Sequence, residues 1–164
     1  MRRERVSFTE LFDTSQEYWP ETTTGVSLVA PAIYRLHEYL SRLAEELFQQ
    51  YQLQGAEFEA LSALRNSPPP YRITPTELYR KLLVSSGGMT KILARLEDKG
   101  LIERPANPED ARSRLVGLTT QGQALIEEVT ERLLQREAEL VSKVAQPRQL
   151  EQQLMQWLEQ IERG

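Results

Sequence analysis

Two basic side chains stand one helical turn apart in a segment whose apolar residues have helical spacing. Lys91 and Arg95 are four residues apart, which places them on the same face of an α-helix. Met89, Ile92 and Leu96 have the spacing of a buried stripe on another face. Arginine binds the O6 and N7 atoms of guanine through two hydrogen bonds, and both cations neutralise phosphate. The pair favours contact with nucleic acid, although an ordinary solvated helix face has the same composition.

Small residues open the same helix. Ser86, Gly87 and Gly88 precede the buried stripe and allow the backbone to approach another molecule closely. The amide groups at a helix N-terminus also favour phosphate. We therefore expect the groove-facing surface of this helix to consist of Ser86, Gly87, Thr90, Lys91 and Arg95.

A second group of cations lies in a polar segment that follows this helix. Residues 105–114 contain two prolines and separate two short runs of strand-forming residues, 101–104 and 115–118. The pattern predicts a hairpin whose tip carries Arg112 and Arg114. An arginine at such a tip can enter a narrow, electronegative minor groove.

The helix that precedes the cationic helix has a complete start signal. Thr74 is a capping residue, Pro75 fits the first helical position, and Glu77 fits the third. A further helix is predicted over 56–65, although no serine or threonine caps its start. Two helices joined by a turn at 84–88 and followed by a hairpin are typical of a winged helix-turn-helix. In that arrangement the second helix enters the major groove of DNA.

A regular apolar seam lies nearer the N-terminus. Its residues step by four and three positions, as the a and d positions of a coiled coil do. Such a seam belongs either to a subunit interface or to a helix packed within one chain. Tyr34 and His37 lie beside it and are candidates for a ligand pocket, with ordinary helix packing as the alternative. The seam residues that we assign to a dimer interface are Val29, Ile33, Leu36, Leu40 and Leu43.

Helices are also predicted towards both ends of the chain. Ser7 to Glu10 form a capping box that starts a short N-terminal helix. After the hairpin, a threonine caps a long helix that runs towards Ala145, and Pro147 breaks it. Apolar residues at helical spacing predict a last helix over 150–161.

The composition of the 164-residue chain excludes several classes of protein. No cysteine is present, which excludes disulfides, cysteine zinc sites, iron–sulfur clusters and thiol sensors. The single histidine disfavours a Ser-His-Asp triad, and we expect neither a metal nor a cofactor. No apolar run approaches the roughly 20 residues that span a bilayer. Residues 1–10 lack the apolar core of a secretory signal, so we expect a cytoplasmic protein that does not contact membranes.

The net charge conceals an uneven distribution. The chain carries a formal charge of −4, yet residues 71–118 hold nine basic and six acidic residues. A basic module in an acidic body is compatible with DNA contact through one face. It is equally compatible with a winged-helix adaptor that binds another protein and never touches DNA.

Residues 77–122 resemble the DNA-binding core of the MarR family of bacterial transcriptional regulators. The resemblance is most specific in three runs: Ser86-Gly87-Gly88-Met89-Thr90, residues 96–104, and Asp110-Ala111-Arg112 followed by Leu118-Thr119. It implies a homodimer whose N- and C-terminal helices interlock and carry two winged modules onto a pseudo-palindromic operator. Family members usually repress, and many release DNA when a small aromatic ligand binds. It also implies that Arg112 enters the minor groove and that Asp110 fixes the wing by pairing with it. A plain surface ion pair is the alternative.

These observations together predict a mostly α-helical protein with a small two- to three-stranded β wing. We expect an N-terminal extension over 1–26, a winged helix-turn-helix over 55–118, and dimerisation helices over 27–54 and 119–164. The predicted function is a sequence-specific transcriptional regulator, acting as a repressor. Its expected partners are double-stranded operator DNA and a second copy of the chain, and a small-molecule effector stays open. An enzyme has little support, because no carboxylate stands at a spacing typical of a nucleophile or a metal.

Overall fold

A computed structural model describes residues 6–25, 27–82 and 86–163 of the chain. The described chain is mostly helical and divides into two compact units, residues 1–43 and 44–164. Part of the turn predicted at 84–88 lies outside the described residues.

The N-terminal unit contains a capped helix and the start of a long one. Helix α1, Phe8–Tyr18, begins at Ser7, whose Oγ accepts a hydrogen bond from the Glu10 amide at 3.1 Å. A short 3₁₀ turn follows at Pro20–Thr22, within a stretch that has no helical spacing. Helix α2 spans Val29–Gln50, and Pro31 lies in its first turn, where an absent amide hydrogen costs nothing. The predicted capping serine is confirmed.

Five helices follow in the second unit. Thr74 and Thr119 cap the second and fourth of them through their Oγ1 atoms, which accept backbone amides three residues later. The long helix ends before the predicted Ala145, and Pro147 begins the next helix rather than only breaking the previous one. The helices are α3 Gly55–Arg65, α4 Pro75–Lys81, α5 Ser86–Asp98, α6 Thr120–Val141 and α7 Pro147–Arg163.

Two small antiparallel sheets lie between α3 and α6 in the sequence. Strands β1 (Arg72–Ile73), β5 (Val116–Leu118) and β2 (Ile102–Glu103) form one sheet in that order. Strands β3 (Ala106–Asn107) and β4 (Asp110–Arg114) form the other. The mostly helical fold with a three-stranded wing is therefore confirmed. The segment 105–114, predicted as a loop, is itself a short hairpin.

The side chain of Arg72 ties the three-stranded sheet together. Arg72 lies opposite Gly117, which in turn lies opposite Glu103. Its Nη2 atom is 2.6 Å from the Glu103 Oε1 atom, so the ion pair crosses the central strand. A Cβ atom at position 117 would lie 2.7 Å from the Arg72 Cγ, so glycine leaves room for this crossing.

One apolar core holds the second unit together. Leu61 and Leu64 of α3, Leu78 of α4 and Leu96 of α5 are fully buried in this core. The start of α6 packs so closely against Leu101 that a Cβ at Gly122 would collide with the Leu101 carbonyl oxygen. This packing holds α6 against the start of β2.

Candidate nucleic-acid interface

Helix α5 is held by one face and presents another to solvent. Met89, Ile92 and Leu96 are at most 5% exposed, as their spacing predicts. Thr90 and Lys91 are exposed. A helix anchored in this way can project polar side chains into a groove without losing its own packing.

Arg95 makes a contact that the sequence analysis did not predict. Its Nε atom donates to the Oε1 atom of Glu57 on α3 at 2.9 Å, while 41% of the side chain stays exposed. Glu57 is fully buried and also accepts a bond from Lys99 at 2.7 Å. Arg95 is therefore tied to the interior at one nitrogen and open to solvent elsewhere.

The pKa of Glu57 is lowered despite its burial. Burial acts to raise the pKa of this carboxyl, because it penalises the charged form. Hydrogen bonds from Lys99, from the Gln54 backbone and from Arg95 outweigh that effect. The carboxylate is therefore charged at neutral pH and can hold both cations.

The first residues of α5 belong to the predicted interface. Ser86 and Gly87 lie in the first turn of α5, and the description of these two residues is limited to their backbone. Their assigned role in the groove stays a prediction.

The tip of the β3–β4 hairpin is shaped by hydrogen bonds. The Oδ1 atom of Asp110 accepts the backbone amide of Arg112 at 2.9 Å, and no ion pair joins their side chains. The resemblance implies an ion pair here, and the structure has this side-chain-to-backbone hydrogen bond in its place. The side chain of Asn107 donates to Ser113 at 2.9 Å and accepts the Glu109 amide at 3.0 Å. Asn107 was missed, although asparagine before proline is a turn signal.

The two wing arginines remain accessible. Arg112 and Arg114 are both exposed on β4, and Arg114 lies opposite Ala106 in the hairpin. Among the described residues, the guanidinium of Arg112 has no hydrogen-bond or ion-pair partner. The structure therefore leaves Arg112 free to take an external anion.

An open groove of about 580 Å³ separates α4 and α5 from the wing. Pro75, Tyr79 and Thr90 line its helical side, and Arg104 and Arg114 line its wing side. The Nε atom of Arg104 is buried and has no hydrogen-bond partner among the described residues. The sequence analysis missed Arg104, because the arginine follows a strand and lies outside the predicted hairpin tip.

The predicted dimer seam and ligand pocket lie on α2. Val29 and Leu36 are each 52% exposed, and Leu40 is 37% exposed, while Ile33 and Leu43 are half-buried. Tyr34 and His37 are exposed, and the His37 Nδ1 lies 3.4 Å from the Ser41 Oγ. The pocket assignment of Tyr34 and His37 stays a prediction.

The described residues were also compared with the requirements of a membrane-spanning helix and of a metal site. No described helix is both long and apolar enough to cross a membrane. Within the same residues, no group of histidine, aspartate and glutamate side chains is placed to hold a metal ion.

Comparison with known proteins decides the family. Residues 51–113 match the family model described as the MarR family. The HTH-type transcriptional regulator PecS of Dickeya dadantii is 31% identical over 123 residues, which cover 75% of this chain and 74% of PecS. The chain belongs to the MarR family. The resemblance found in residues 77–122 is thereby confirmed.

Solved MarR structures share the fold. A crystal structure of a mutant MarR from Escherichia coli has a TM-score of 0.69 and 31% identity, covering 82% of this chain and 99% of that one. A mutant MarR from the same organism, crystallised with operator DNA, has a TM-score of 0.63 and 30% identity, covering 88% and 96%. The winged helix-turn-helix within a mostly helical MarR-type chain is thus established.

Proposed function

We propose that this protein is a sequence-specific DNA-binding transcriptional regulator in which α5 reads the major groove and the β3–β4 hairpin contacts the minor groove. The observation that carries the proposal is the exposure of Lys91 and Arg112 and the partial exposure of Arg95, on a helix and a wing that line one groove. The operator complex of the E. coli MarR relative supports the same assignment. Phosphate neutralisation supplies most of the affinity, and a few base contacts supply the specificity.

We further propose that the regulator acts as a homodimer. Apolar side chains of α2 and α7 are exposed in the single chain, and burial of such surface drives subunit association. A pseudo-palindromic operator follows from a two-fold dimer, because each half-site meets one α5. The exposed apolar residues of α7 are Leu150, Leu154, Met155, Trp157, Leu158 and Ile161.

Repression and ligand release complete the proposal. Both rest on the family to which the chain belongs. The groove between α4, α5 and the wing supports release by a ligand, because an occupant there would touch the elements that contact DNA. A small aromatic molecule with an anionic group suits Tyr79 on one side and the cation of Arg104 on the other. DNA binding in this scheme takes place in the cytoplasm.

Salt-dependent binding to DNA tests the proposal. Duplexes selected from genomic fragments by the purified protein are measured by fluorescence anisotropy at several salt concentrations. We expect the logarithm of the binding constant to fall steeply and linearly with the logarithm of salt concentration. We also expect the selected duplex to bind at least about 10³-fold more tightly than a random duplex.

The adaptor hypothesis predicts a different result. The formal charge of −4 favours that alternative, because an acidic body repels phosphate at long range. An adaptor would bind no duplex with sequence preference. Equal affinity for selected and random duplexes would therefore contradict a regulator and favour the adaptor.

A further inference from the structure

Glu57 is a buried carboxylate that is bound from three sides. Glu57 is fully buried, and no other acidic residue in the described part of the chain is buried. Its Oε1 atom accepts Arg95 Nε at 2.9 Å, and its Oε2 atom accepts Lys99 Nζ at 2.7 Å. The same Oε2 atom accepts the Gln54 amide at 2.9 Å, as expected at the start of a helix. Arg95 in the last turn of α5 and Lys99 just after that helix thus converge on one carboxylate of α3.

Helix capping alone does not account for this arrangement. Glu77 performs the same local role for α4 at 2.8 Å while it remains exposed. Burying a carboxylate is unfavourable unless cations and hydrogen bonds compensate it. Glu57 is buried against Arg95 and Lys99, so its burial fixes these two side chains as well as the helix start.

The contact leaves the outer part of the Arg95 guanidinium available. Only the Nε–H group of Arg95 is bonded to Glu57, and its two Nη groups have no hydrogen-bond partner among the described residues. The side chain is 41% exposed and lies one turn after the exposed Lys91. A guanidinium held at Nε has lost much of its rotamer freedom before it meets a ligand. The fork that donates two parallel hydrogen bonds stays open.

We propose that Glu57 is a positioning residue for DNA recognition, which holds the guanidinium of Arg95 so that its Nη groups read a guanine. The inference rests on the proposed function and assigns to α3 a part in base selection. Arg95 contacts the base, and Glu57 acts through Arg95. Lys99 supplies the second cation that keeps Glu57 charged.

A comparison of two glutamine variants tests the proposal. Glu57→Gln removes the charge that holds Arg95, and Glu59→Gln removes the same charge from an exposed position of α3. Binding is measured by anisotropy on the selected operator, on its single base-pair variants and on a random duplex. We expect Glu57→Gln to lose about tenfold discrimination at one base pair, within the range of a bidentate contact. We expect Glu59→Gln to keep the wild-type preference at every position.

A double variant that combines Glu57→Gln with Arg95→Ala separates a positioning role of Glu57 from a general structural effect. Arg95→Ala should flatten the preference at the same base pair, and Glu57→Gln should add nothing in that background. A loss of affinity spread evenly over all duplexes would overturn the proposal, and so would an unchanged preference in Glu57→Gln. If Glu57→Gln does not fold, Arg95→Lys decides, because it keeps the charge and removes the fork. Unchanged discrimination in Arg95→Lys would overturn the proposal.

The same measurements separate this inference from the proposed function. Wild-type protein without preference for any duplex would refute the proposed function and the positioning role together. Wild-type preference that survives Glu57→Gln would refute the positioning role alone.

Discussion

The basic residues of the winged module differ in how they are held. Arg95 and Lys99 are bound to a buried carboxylate, and Arg72 is paired with Glu103 across the sheet. Lys91 and Arg112 are exposed. Residue type and position indicated Lys91, Arg95 and Arg112, and the structure adds that Arg95 is paired with a buried carboxylate. Lys91 and Arg112, together with Arg95, whose side chain is 41% exposed although paired, are the candidates for direct DNA contact.

Replacing Arg112 with alanine tests the wing contact. Arg112 is exposed on β4, so its removal should leave the core and the oligomeric state unchanged. We expect operator affinity to fall by about 1–3 kcal/mol, the range for a specific arginine contact. Anisotropy measures the affinity, and light scattering measures the mass.

A matched control is available at the far end of the chain. Arg163→Ala removes the same charge from a side chain that is 80% exposed on α7. It should bind the operator as the wild type does. Equal effects of the two substitutions would mean that only net charge matters, and the wing contact would be refuted.

The lowered pKa of Glu57 predicts how stability depends on pH. Its folded-state pKa lies below the ordinary value of a glutamate, so the folded protein binds this proton less readily than the unfolded chain. The stabilisation is fully present above that value and is lost as pH falls through the folded-state pKa. We expect the difference in unfolding free energy between wild type and Glu57→Gln to be constant near neutral pH and to shrink below about pH 4.5.

Urea denaturation at a series of pH values measures this difference. Glu59→Gln, on the same helix but exposed, serves as the reference for loss of one charge. A gap between wild type and Glu57→Gln that stays constant down to pH 3 would contradict the assignment of a charged, cation-bound carboxylate.

Among the elements, those with local start and end signals were predicted best. Thr74 and Thr119 mark helix starts through side-chain caps. Gly100, in the left-handed region at φ +69°, follows the end of α5 at Asp98. Strand β1 was missed because two residues carry no periodicity, and it exists only through pairing with β5. Such pairing joins residues distant in the chain and leaves no local pattern.

Only part of the candidate site was predicted, because contacts between residues distant in the chain leave no local pattern. Lys91, Arg95 and Arg112 were chosen from residue type and spacing, and the structure exposes all three. The tie between Arg95 and Glu57 joins residues 38 positions apart, so no helical spacing indicates it. Arg104 was missed because its relation to the groove depends on the folding of the wing against α4 and α5.

A substitution at Gly122 tests the close packing of the start of α6 against Leu101. Thr119 donates through Oγ1 to the Gly100 carbonyl at 2.8 Å and accepts the Gly122 amide at 3.0 Å. A methyl group on Gly122 would meet the Leu101 carbonyl oxygen, which belongs to backbone and cannot move alone. We expect Gly122→Ala to destabilise the protein by about 1–3 kcal/mol or more, as overpacking does. Thermal unfolding measures the change.

Gly55 provides the comparison for that substitution. It begins α3, and a Cβ built there meets no atom within 4 Å. Gly55→Ala should be neutral or slightly stabilising, because alanine restricts the unfolded chain. Equal stability of the two variants would refute the close approach of α6 to Leu101.

Helix α7 exposes a row of large apolar side chains to solvent in the single chain. On α7, Leu150, Leu154 and Leu158 recur at intervals of four residues and are 39–49% exposed. Trp157 and Ile161 extend the same stripe. Contiguous exposed apolar faces of this kind mark interaction surfaces. In the proposed homodimer, a second copy of the chain would cover this stripe.

A charge placed in this stripe should separate the subunits. In Leu154→Glu a carboxylate would be buried in the proposed interface, which is unfavourable without a cation to pair with it. We expect light scattering to show a shift towards monomer, and operator affinity to fall by more than tenfold because one half-site alone is bound. Gln152→Glu adds the same charge away from the stripe and should leave the mass and the affinity unchanged. A dimeric Leu154→Glu variant would exclude α7 from the interface, whereas a monomer that still binds the full operator at wild-type affinity would show that recognition does not need the second subunit.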